Sequence, residues 1–289
     1  MPLFKRTSPH PWQPLWRHDA GAMLWSVKFS GDGRILGEVR DLEARQANYF
    51  CCDEHDGHLW WSGLHAEHAW WVGIEDIDAG RFYLHGFRKP DMPQHLGIYA
   101  YNLDSAAPLW RNEQYAFLFA FDGEVYASQD RFDGRHVVHL SPEDGSVVEE
   151  LGTDNERVHA MRMELNTRDP FAGYRYPEHF DQAHSAYAML REQVHSVVDP
   201  ASVRGQLDVL CENDLLLLSW HETTKEEGTL LQQVFHAMNL RDDRTLFRDT
   251  IVESARAPAI DSFFIKDTTL YYVKNYRILT AHDINGVPA

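Results

Sequence analysis

Three groups of residues in this chain have side chains able to do chemistry. Glu75, His85 and His95 offer one carboxylate and two imidazoles, a donor set that suits several divalent ions. Glu113, Asp208 and Asp261 stand at comparable entrances to apolar segments, where a glycosidase needs acids to protonate a leaving group and activate a nucleophile or water. The third group is aromatic. Trp70 and Trp71 are adjacent, and Tyr174, Tyr176 and His179 follow later, all surfaces on which a sugar, base or peptide side chain stacks.

Each group also has a plainer reading. Large aromatic pairs commonly fill cores between sheets, and His85 and His95 fit as hydrogen-bonded structural residues. Among 44 acidic residues, some fall at strand entrances by chance. No Gly-x-Ser-x-Gly elbow, phosphate-binding glycine loop or His-Glu-x-x-His helix supports a hydrolase, nucleotide or zinc-protease reading. The expected ligand-binding set is therefore Trp70, Trp71, His85, His95 and Tyr176. No catalytic residue and no cofactor are expected, with Glu113, Asp208 and Asp261 kept as the catalytic set of the alternative, a carbohydrate-active or other hydrolase.

The elements that must position these residues are read from turns and alternation. Five short hairpins recur, each with an Asp, Asn or Gly turn between apolar segments. Their first strands are Met23 to Phe29, Trp70 to Asp76, Tyr115 to Phe121, Leu207 to Glu212 and Asp261 to Ile265. A third strand follows each hairpin, then an outer strand. The outer strands begin at His58, Pro108, Ser146 and Thr245, and the fifth is displaced to the start of the chain. Pro-Leu-Trp-Arg occurs at 14 to 17 and again at 108 to 111, so the first copy is expected to supply the outer strand of the last repeat. The resulting fold class is all-β: a five-bladed β-propeller closed by an N-terminal outer strand, one domain over residues 1–289.

The second strands start at Arg34, Arg81, Glu124, Leu215 and Thr269, and the third interval is about twice the others. From Pro177, the residues Phe180, Ala183, Tyr187, Leu190, Val194 and Val197 recur at helical spacing, which predicts one helical insertion at about 152–205. Six blades are the alternative if Arg157 to Leu165 forms strands. Strand parity assigns the helix to the same end as the loops 88–95 and 222–228, which makes that end the expected functional face. Parity also sends Glu75 to the far end of its strand, away from His85 and His95, so no metal site is expected.

The blocks Trp70-Trp71-Val72-Gly73-Ile74-Glu75, Leu84-His85-Gly86-Phe87 and Pro93-Gln94-His95-Leu96-Gly97-Ile98 resemble an uncharacterised family of bacterial propeller-like proteins, a domain of unknown function, with WWxGxE, LHGF and PxHxGI blocks. The resemblance is strongest over residues 20–111 and implies the fold without an activity. The Asp-Gly turns followed by Leu-Trp strands resemble, more distantly, quinoprotein-type propeller repeats. From these only the geometry is expected, not a quinone cofactor.

Composition limits the partners. A net charge of −17 opposes adhesion to nucleic acid or anionic lipid, since no basic excess neutralises phosphates. The start has no apolar leader region, and no run of about 18 apolar residues predicts a membrane span. Three cysteines, Cys51, Cys52 and Cys211, make neither a disulfide framework nor a zinc cluster. The expectation is a cytoplasmic, non-enzymatic scaffold for an unknown protein or small molecule.

Overall fold

The computed structural model describes residues 12–66, 68–88, 92–153, 156–167, 171–224, 230–259 and 262–287. Strands dominate, and they form five antiparallel sheets of four or five strands. The chain divides into two compact units. One spans residues 22–172, and the other joins the N-terminal segment, with strand β1 (Trp16–Asp19), to the chain from residue 173 onward.

Residues 22–172 form three meanders. The first contains β2 (Met23–Phe29), β3 (Arg34–Asp41), β4 (Gln46–Asp53) and β5 (Leu59–His65). The second contains β6 (Val72–Asp78), β7 (Arg81–Phe87), β8 (His95–Asn102) and β9 (Pro108–Asn112). The third contains β10 (Ala116–Phe121), β11 (Glu124–Arg131), β12 (Gly134–Leu140) and β13 (Val147–Gly152). Turn chemistry sets the hairpins: Asp122 and Gly123 take φ of 52° and 85° and join Phe121 to Glu124, a two-residue turn whose hand matches strand twist.

Outer strands dock through indole N–H groups, a contact their short consensus did not reveal. Trp61 of β5 donates to the Leu103 carbonyl at 2.7 Å, and Trp110 of β9 donates to the Pro142 carbonyl at 2.8 Å. Gly145 makes room for the second dock, since a Cβ there would lie 2.4 Å from the Trp110 ring. Behind these contacts the sheets pack face to face. Leu36, Tyr49 and Cys51 meet Phe82, Leu84 and Tyr99, while Tyr83, Ile98 and Trp110 meet Val125, Ala127 and Val138.

The segment weighed as extra strands for a sixth blade is a helix, α1 (Glu156–Thr167). Val158, Met161 and Leu165 lie on one side of it and pack with Phe119, Tyr126 and Leu151 of the third sheet.

The other unit starts with two short strands, β14 (Tyr174–Arg175) and β15 (Glu178–His179), then α2 (Tyr187–Val197). It continues through β16 (Leu207–Glu212), β17 (Leu215–Thr223), β18 (Leu231–Asn239) and β19 (Arg244–Ala255). The last strands are β20 (Phe263–Lys266), β21 (Thr269–Lys274) and β22 (Ile278–Asp283). Strand order is β15-β16-β17-β18-β19 in one sheet and β1-β22-β21-β20-β14 in the other. Thus β1 pairs antiparallel with β22, Trp16 opposite Ala281, in the outer seat expected for the displaced strand.

The helix starts later than its apolar spacing predicts. Asp181 Oδ1 accepts the Ala183 N–H and His184 Nδ1 accepts the Ala186 N–H, so local side-chain bonds hold 181–186 in turns. Leu190 and Val194 then pack on Leu207, Val209 and Trp220. Both helices therefore spend their apolar sides on the sheets beside them.

Candidate functional site

The site grows from the second sheet. Gly73 of β6 sits directly opposite His85 of β7, and Phe87 sits opposite His95 of β8. Residues two apart share a face of a strand, which brings Gly73, Glu75, His85, Phe87 and His95 to one side. Two irregularities then draw the chemistry together. The pairing of β6 with β7 shifts between Ile74 and Asp76, which leaves Glu75 as the extra residue of a bulge. The pairing of β7 with β8 shifts between His85 and Gly86, opposite Gly97, whose φ of +91° suits glycine and whose N–H donates to the Tyr115 carbonyl.

The outcome differs from strand parity: the three side chains meet. The strand begins at Val72, two residues later than predicted, and the bulge re-aims Glu75 toward His85 and His95. Gly73 helps by lacking a side chain, since a Cβ there would approach His85 Cε1 to 2.8 Å. His95 Nδ1 lies 2.7 Å from Glu75 Oε1 in a hydrogen bond, and His85 Nδ1 lies 3.2 Å from the same oxygen. The His85 nitrogen is buried, and among the described residues this loose approach to Glu75 is not matched by an aligned hydrogen bond. The two imidazoles stack with centroids 3.5 Å apart and planes 8° from parallel. Phe87 meets both rings edge-on, and Trp71 meets Phe87 in the same manner.

Burial pushes the Glu75 carboxyl up, but its contacts with His85 and His95 outweigh it and hold the group below the ordinary glutamate range. Glu75 is thus an ionised carboxylate in a half-buried position. Its described side-chain partners are the two imidazoles, while Lys28 binds its backbone carbonyl and Asp76 instead.

A buried ion pair supports β6 from the first sheet. Arg40 Nε donates to Glu38 Oε1 at 2.6 Å, and the same guanidinium donates to the Trp70 and Val72 carbonyls. Glu38 Oε2 accepts the Ile74 N–H at 3.2 Å. These residues were missed in the sequence, although Glu38 and Arg40 are charges two apart that flank Val39 in the middle of a strand, a visible signal of a buried pair.

The other candidates do not join this cluster. Trp70 lies just before β6 and takes the Arg40 guanidinium over its ring at 5.0 Å, while Trp71 is 38% exposed. Tyr176 is in the other unit, exposed and stacked on Tyr174. Glu113 is exposed beyond the end of β9. Asp208 lies on β16, paired in register with His179 of β15, and accepts the Ser262 hydroxyl at 3.2 Å. Asp261 lies outside the described residues, as do 89–91 and 225–229 of the two predicted loops.

Residues 30–110 match the family model of a domain of unknown function (DUF4905), a span that includes Trp71, Glu75, His85 and His95. The likeness read from the WWxGxE, LHGF and PxHxGI blocks falls within it. No curated protein matches the chain. Among solved structures, one described as BBS1N in complex with ARL6DN, soaked with mercury, is similar at 12% identity and a TM-score of 0.35, over 97% of this chain and 99% of that one. Another, the Dos1 propeller, is similar at 9% identity and a TM-score of 0.36, over 96% of each chain. No helix among the described residues is long and apolar enough to cross a membrane.

Proposed function

We propose that this chain is a cytoplasmic, non-enzymatic ligand-binding β-propeller whose site at Glu75, His85 and His95 takes a small ligand or a partner's side chain. In this reading the five sheets are five blades of a single domain, β1 closes the ring, and residues 152–205 are its helical insertion. The observation that carries the binding reading is the convergence of an ionised carboxylate and two imidazoles beside the partly exposed Trp71 ring. Polar groups that converge at an aromatic wall orient a ligand, and the ring supplies contact area. The seating of β1 on β22 supports the closure. Among the alternative acids, Asp208 already accepts the Ser262 hydroxyl, which disfavours a catalytic role there. A net charge of −17 disfavours nucleic acid and anionic membrane as partners.

Thermal-shift screening against metals, sugars and nucleotides tests the reading, because a ligand that prefers the native state raises its apparent stability. The expected result is a ligand that raises the midpoint of the wild type but leaves the Trp71→Ala/His95→Ala double variant unmoved. Equal shifts in both proteins would move the site elsewhere. Glycoside turnover that disappears with Asp208→Asn would replace binding with hydrolysis.

A further inference from the structure

We infer that Glu75, His85 and His95 form a binding site for one divalent transition-metal ion of the zinc class, with an open coordination position toward solvent. This deepens the binding reading and rests on it. Two imidazole nitrogens and one carboxylate are the donors preferred by zinc, cobalt and nickel, whereas magnesium and calcium favour all-oxygen shells. The candidate donor atoms of the three residues lie within 4.8 Å of one another. Bonds of about 2.0–2.1 Å in a tetrahedron set neighbouring donors about 3.3 Å apart. His85 Nδ1 stands 3.2 Å from Glu75 Oε1, close to that edge, and His95 Nδ1 stands at 2.7 Å, so the donors need little separation to admit an ion.

The second observation is the burial of that contact. His85 is 7% exposed, and its Nδ1 is held 3.2 Å from the carboxylate without an aligned hydrogen bond among the described residues, an arrangement that coordination improves. The imidazoles are parallel as found, so their in-plane lone pairs run side by side. Capture of an ion therefore turns the His95 ring, whose side chain is 40% exposed, out of the stack, while His85 stays wedged over Gly73. Exposure of His95 leaves the remaining coordination position to water or to a donor from a ligand.

Calorimetric titration of the chelator-stripped full chain with zinc chloride tests the inference, with cobalt chloride absorption as a second measurement. The expected result is one zinc per chain and the visible band of tetrahedral cobalt. His95→Gln and Glu75→Gln are each expected to weaken zinc binding more than about 100-fold, beyond the loss typical of outer-shell changes. His195→Gln, an exposed control on α2 in the other unit, leaves it unchanged. Magnesium produces no heat. Unaltered zinc affinity in both site variants, or absence of a one-to-one event in the folded wild type, overturns the metal site. If zinc fails while an organic ligand still gives a shift that needs Trp71, the metal inference falls and the binding reading stands. If no compound shifts the wild type either, both fall.

Discussion

Two sets of histidines in this protein have opposite surroundings. His85 and His95 share a carboxylate at the margin of a sheet, and one of them reaches solvent. His236 and His282, in the other unit, are sealed: His236 lies near Trp220, and His282 lies among Trp12, Phe247 and Tyr272. Among the described residues, neither His282 nitrogen has a hydrogen-bond partner, and His236 Nδ1 has none. Desolvation, aided by Arg248 for His236 and Arg17 for His282, lowers both to about 4. The contrast lies in the surroundings: one pair of imidazoles keeps an ionic neighbour and an opening, while the other is enclosed by aromatic side chains.

The largest expected effect breaks the support of the open set. Arg40→Ala leaves Glu38 buried without its cation and frees two carbonyls, for an expected loss of about 3–5 kcal/mol. Urea unfolding checks it, and a loss within experimental error would mean that β6 is held by packing alone. Gly73→Ala comes next. Its Cβ would press on His85, for a cost of about 1–3 kcal/mol from overpacking, and the displaced ring should weaken zinc binding as well. Unaltered histidine NMR resonances would argue against the wedge.

Acid sharpens the contrast from the sealed side. A histidine with a lowered folded pKa stabilises the fold in its neutral form, so its contribution is complete above the unfolded value near 6.5. It is lost as pH falls from there toward about 4. Each of the two imidazoles should then remove about 1.4 kcal/mol per pH unit within that window. Urea unfolding between pH 7 and 4.5 gives the slope, and His282→Phe should reduce it, because the phenyl ring cannot take up a proton. The same slope in that variant would assign the acid sensitivity to other groups. The smallest stability effect belongs to Trp71→Ala, within about 1 kcal/mol because the ring is partly exposed, yet this change should weaken ligand capture.

Much of the fold was legible in the residues. Asp122-Gly123 and its counterparts marked hairpins because their backbone demands are local, and period-two alternation identified the flanking strands. The outer-strand role of the segment ending at Trp16 and Arg17 was legible from its repeat at 108 to 111, and those two residues pair with Ala281 and Thr280. Helix α2 was legible in its stripe, but its start was not, because Asp181 and His184 bond their own backbone first.

For the site, residue types alone established which donors exist: Glu75, His85, His95 and the neighbouring Trp71. Their convergence belonged to tertiary structure. It depends on a bulge at Glu75, another opposite Gly97, and the vacancy over Gly73. Alternation along a strand is a property of neighbours in the chain, whereas register across strands is set by how whole side chains pack. Two bulges and a strand that begins two residues later than predicted bring a carboxylate to two imidazoles that strand counting had kept apart.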